Sequence, residues 1–128
     1  MLEDIFKAIE ESVDPSTTKM LMKIDIELFE CRAFLGSPEV LVQSRNITLV
    51  AVIMEWVFIR EHGKYSEQCR KEKVIELAKL FLDNGFTAFR MKGKSYQLSS
   101  LDTTNFGVDW KFDVVWLSNS MISTYLNT

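Results

Sequence analysis

The chain is poor in the residues that chemistry most often uses. Its 128 residues include one histidine, two cysteines, two prolines and five glycines. A Ser-His-Asp or Cys-His catalytic site would have to employ His62. That residue lies in the sequence Arg-Glu-His-Gly-Lys, beside a predicted helix end, where a histidine complements the helix dipole. The glycines are dispersed, so no glycine-rich loop is present to cradle a phosphate. Metal ligands would come from Cys31, Cys69, His62 and carboxylates, and the close-spaced ligand pairs of zinc sites are missing. The expectation is no catalytic residue, no metal and no cofactor.

The two cysteines are far apart, each within a helical pattern, and read as reduced thiols in preference to a disulfide. No apolar run reaches the roughly 20 residues that a membrane helix needs. The start, Met1-Leu2-Glu3-Asp4, is acidic at once, unlike the basic start of a secretory signal. The expected setting is therefore cytoplasmic, away from membranes, and the Asn46-Ile47-Thr48 sequon is read as chance.

What the chain does have is a core. Hydrophobic residues make up 47% and aromatics 12%, enough for one domain spanning residues 1–128. The most apolar segment, Ile47 to Ile59, carries a single charge, Glu55. Such a run has to be buried on nearly every side.

Periodicity and breakers divide the chain. Leu2, Ile5, Phe6 and Ile9 recur at helical spacing, with Glu3 and Asp4 in the favoured first turn, and Asp14-Pro15-Ser16 ends that segment. Leu21, Ile24, Leu28, Cys31 and Leu35 form a second stripe, predicting a helix from 16 or 17 to 35 that stops at Gly36. Ser37-Pro38-Glu39 is a helix start, because serine accepts from orphan amides and proline suits the first helical position. The β-branched density after Ile47 argues for a strand. The distance from this start to Gly63 exceeds ordinary strand length and favours a central buried helix over 38–61. Ser66 then caps a fourth helix over 66–83, closed by Asn84-Gly85.

After Gly85 the period changes. Residues 86–91 and 95–99 read as a hairpin, residues 86–99, around Lys92-Gly93-Lys94. Trp110, Phe112, Val114 and Trp116 alternate with Lys111, Asp113 and Val115 as a half-buried strand. The expected class is α+β: about four N-terminal helices followed by a small antiparallel sheet of about three strands.

Net charge is −3, unevenly spread. Residues 1–59 carry ten acidic and five basic side chains, whereas residues 60–94 carry nine basic and five acidic. Two function classes follow. The first is a small acidic protein-binding module, most concretely an inhibitor or immunity protein that neutralises a toxin or enzyme by contact. Glu10, Glu11, Asp14, Glu27 and Glu30 would face a basic partner surface and steer association. The connection from Leu101 to Asp109, with Asp102, Phe106 and Asp109, is a second candidate surface. The alternative is a winged-helix-like nucleic-acid-binding regulator. Its helix would carry Arg70, Lys71 and Lys73, and its hairpin Arg90, Lys92 and Lys94. Glu67, Glu72 and Glu76 on that same helix count against it. The apolar run also suits an interface with a second copy, so monomer and homodimer both stay open.

Overall fold

A strand of period two, and not a helix, opens the described chain. In the computed structural model, residues 18–24, 30–41, 47–58, 63–67, 69–92 and 97–122 are described. Strand β1, Thr18–Ile24, buries Ile24 and half-buries Met20 and Met22, while Leu21 and Lys23 are exposed. That is the alternation of a pleated edge strand. The expected helix over 16–35 contracts to α1, Glu30–Gly36, which does stop at the predicted glycine.

The central helix expected over 38–61 is likewise corrected. Its start signal produces only a single 3-10 turn, Pro38–Leu41. The apolar run forms β2, Ile47–Val57. β2 pairs in parallel with β1 on one side and antiparallel with β5, Lys111–Ser118, on the other. Most of β2 is buried, Leu49, Val52, Met54 and Trp56 in one apolar cluster and Val50 and Ala51 in another, while Glu55 is exposed. Its β-branched residues then reflect burial and strand preference together. Length misled because one start signal and one breaker enclosed two separate elements.

Helix α2, Lys71–Asp83, is shorter than predicted. Ser66, the expected helix cap, instead closes a turn: its Oγ accepts from the Cys69 amide at 3.2 Å. At the other end the prediction holds. Asn84 Nδ2 donates to the Leu80 carbonyl at 2.7 Å, and Gly85 turns the chain at φ +81°. The predicted hairpin is present as β3, Phe86–Lys92, and β4, Gln97–Ser100.

The architecture is thus a five-stranded mixed sheet ordered β1-β2-β5-β3-β4, with two α-helices among the described residues. This replaces the expected four helices and three strands, although the chain remains α+β. Both helices pack on one sheet face. Phe34 from α1 and Val74, Leu77, Ala78 and Phe81 from α2 meet Val52, Met54, Trp56, Ala88 and Trp116 there. Between Met20/Leu49 and Leu21/Ala51 the register shifts, so Val50 is the extra residue of a bulge. Val50 and Ala51 consequently join a second apolar cluster with Phe89, Val115 and Leu117.

The cysteines are also corrected. Cys31 and Cys69 form a disulfide between α1 and the residues before α2, with Cα atoms 5.6 Å apart. Both are almost fully buried. Their separation in sequence concealed a pairing made only by docking α1 beside α2.

Candidate functional site

The connection between β4 and β5 is a built surface. Two side chains from elsewhere in the chain hold it. Trp56 Nε1 donates to the Gly107 carbonyl at 2.9 Å, and the Tyr65 hydroxyl donates to the Val108 carbonyl at 3.0 Å. Asp102 opens the loop with an Asx turn, its Oδ1 accepting from the amide and hydroxyl of Thr104. Those bonds hold the Asp102 carboxyl below its ordinary range. Tyr65 is shifted upward, first by burial and then by the nearby charges of Asp109 and Glu72.

Phe106 has φ +54°. Bulky side chains rarely occupy the left-handed region, and such strain concentrates at functional sites. Gly107 follows at φ +68°, with the Trp110 ring so close that an ideal Cβ would lie 2.5 Å from it. Only glycine allows the ring to lie against the backbone there.

From this turn a row of half-buried aromatics runs toward β5. Trp110 stacks near Phe112 with centroids 6.2 Å apart, and also meets Trp56 at 5.6 Å. Cations stand at both ends of the row. Lys79 Nζ lies 5.1 Å from the Phe106 ring centre, and the Arg90 guanidinium lies 4.3 Å from that of Phe112. Lys79 and Arg90 are exposed, as are Asp102 and Asp109. Beneath the row, Trp116 is fully buried and stacked on Phe81 at 4.7 Å, and its Nε1 has no hydrogen-bond partner.

The candidates from sequence fare unequally. Asp102, Phe106 and Asp109 come together in this one loop. Glu30 does not belong to a contact face, because it is buried in the first turn of α1. Glu10, Glu11, Asp14 and Glu27 lie outside the described residues, as do His62 and Lys94. Arg70, Lys71 and Lys73 are exposed at the start of α2, and Lys73 pairs with Glu76 at 3.1 Å. Arg90 is on the sheet, and Lys92 ends β3. The hairpin is no free wing, since β3 pairs with both β4 and β5. Sequence reading missed Trp56, Tyr65, Gly107 and Trp110. Their one local signal was the Phe106-Gly107 step beside a tryptophan three residues on.

Among the described residues no three His, Cys, Asp or Glu side chains cluster as a metal site, and no helix is long and apolar enough to cross a membrane. No protein-family model, curated protein or solved structure matches the chain.

Proposed function

We propose that this protein is a protein-binding module whose contact surface is the row Lys79–Phe106–Trp110–Phe112–Arg90 with its acidic neighbours Asp102 and Asp109. The observation that supports this reading is the strained, doubly held loop 101–110 presenting half-buried aromatics beside an arginine. Aromatics and arginine are enriched where binding energy concentrates, and a rigid loop loses little entropy on docking. Asp102, Asp109 and Glu72 favour a partner with a basic surface. The most concrete form is a non-enzymatic inhibitor or immunity protein that acts by direct contact. The Cys31–Cys69 disulfide suits an oxidising setting better than the cytoplasm expected from sequence, so the proposal names no compartment.

The test is affinity capture from native lysate with the full chain and with Phe106→Asp and Arg90→Glu, each before and after nuclease treatment. A stoichiometric protein that survives nuclease and is lost with both variants is the expected result. The same protein retained equally by both variants rejects this surface. Partners that vanish with nuclease turn the assignment toward nucleic acid.

A further inference from the structure

The two described helices are held in place by different means. α2 has 13 residues and buries four apolar side chains, Val74, Leu77, Ala78 and Phe81. α1 has only seven residues and buries Glu30, Cys31 and Phe34. Isolated helices shorter than roughly 12–15 residues are marginal in water, so α1 depends on what its side chains touch. Glu30 takes a carboxyl group out of water, a cost that release would return. Phe34 meets Phe81 of α2 with ring centres 5.2 Å apart, while Ala33 and Leu35 are only half-buried. The firmest attachment is covalent: the Cys31–Cys69 disulfide ties α1 to the chain just before α2.

The rest of the fold does not need α1 in place. It lies in the connection between β1 and β2, and every ladder of the sheet is made by strands alone. The chain on the other side of the disulfide is secured independently. The Cys69 amide donates to Ser66 Oγ at 3.2 Å, and the Ser66 amide donates to the Phe58 carbonyl at 3.0 Å. Cutting the bridge therefore frees α1 and leaves Cys69 where it is.

We propose that Cys31–Cys69 is a redox latch on α1. Oxidised, it holds α1 against α2; reduced by a dithiol, it lets α1 lift and uncovers Phe81 and both thiols. One thiolate of the dithiol attacks a sulfur of the bridge and expels the other as a protein thiolate. The second thiolate of the reagent then closes on the mixed disulfide. Two electrons and two protons pass to the protein, and the dithiol leaves as a disulfide. Cys31 is 1% and Cys69 0% exposed, so attack requires an outward fluctuation of α1 and the closed state resists brief contact with reductant. Phe81 stacks on Trp116, so the uncovered surface is apolar and continuous with the main core. The inference stands independently of the binding reading above, whose surface residues it does not use.

Amide hydrogen exchange on the full chain, oxidised and after equilibration with dithiothreitol, tests it. On reduction, the amides from Phe34 to Ser37 should lose about tenfold or more protection beyond any loss in β2 and β5, the mark of local opening. An equal loss in both places, or none in α1, overturns the proposal, because a bridge that only supports global stability lowers all of them together. Alkylation of the reduced Cys31 thiol by iodoacetamide gives a second reading. Its rate should stay flat in low urea. A rate that climbs with urea in step with global unfolding overturns the latch. The double variant Cys31→Ala and Cys69→Ala, without reductant, should exchange at Phe34 to Ser37 as reduced wild type does. Protection there equal to that of oxidised wild type also overturns it.

Discussion

Trp56 and Gly107, fifty-one residues apart, are joined by a 2.9 Å hydrogen bond from the indole nitrogen to the backbone carbonyl. Both residues are buried. The bond fastens loop 101–110 to β2, one of the two strands that pair with β5, at the heart of the sheet. Replacing Trp56 by Phe keeps an aromatic ring and removes the donor. The Gly107 carbonyl still accepts from the Trp110 amide at 3.1 Å, so losing the indole donor costs about 0.5–1.5 kcal/mol, the net worth of one hydrogen bond. Urea denaturation of Trp56→Phe should show at least that loss, together with faster amide exchange at Val108 and Trp110.

Gly107→Ala places a methyl group into the Trp110 ring at a backbone angle that side chains rarely adopt. Strain of this kind costs on the order of 1–3 kcal/mol. The expected outcome is a lower denaturation midpoint and altered tryptophan fluorescence. An unchanged emission spectrum would show that the ring does not lie against residue 107.

The Cys31–Cys69 disulfide closes a loop across 38 positions and so restricts the unfolded chain. Removing it by the pair Cys31→Ala and Cys69→Ala should lower stability by roughly 3–4 kcal/mol in the loop-entropy account. Denaturant midpoints measured with and without reductant should differ for wild type and coincide for the double variant.

Tyr65 is held neutral by the fold. Its ionisation lies above the ordinary tyrosine value of about 10, owing to burial and then to Asp109 and Glu72. Because the folded value is raised, the stabilisation is fully present below the unfolded value. It is lost as pH rises through the folded one. Loss of the hydroxyl proton also removes the donor to Val108. Tyrosinate absorbance should reveal one late-titrating group that disappears in Tyr65→Phe, and the loop should loosen at the same alkaline step.

Glu55 and Asp113 face one another across β2 and β5, both exposed. Directly opposed like charges weaken a strand pair. Glu55→Lys should raise stability by about 0.2–1 kcal/mol at low salt, with the gain shrinking as salt is added. Thermal melts at two ionic strengths give the answer.

Local chemistry was legible wherever short-range rules act alone. Asn84-Gly85 ends a helix because only a short polar residue and a glycine suit that turn, and it does so here. The hairpin and the period-two run after Trp110 fold as their patterns require. Burial of the run after Ile47 followed from its composition. Whether that run would be helix or strand did not, because a continuous apolar segment satisfies a buried helix and an enclosed strand equally. Pairing with β1 on one side and β5 on the other decided it. Met20, Met22 and Ile24 alternate correctly for a strand, yet Leu21, Ile24 and Leu28 offered a helical stripe over the same residues. The sheet edge settled between them. The candidate site divides in the same way. Asp102, Phe106 and Asp109 were visible as a polar connection within one stretch of sequence. Trp56, Tyr65 and the cysteine pair act across tens of residues, and such contacts exist only once the chain has closed on itself.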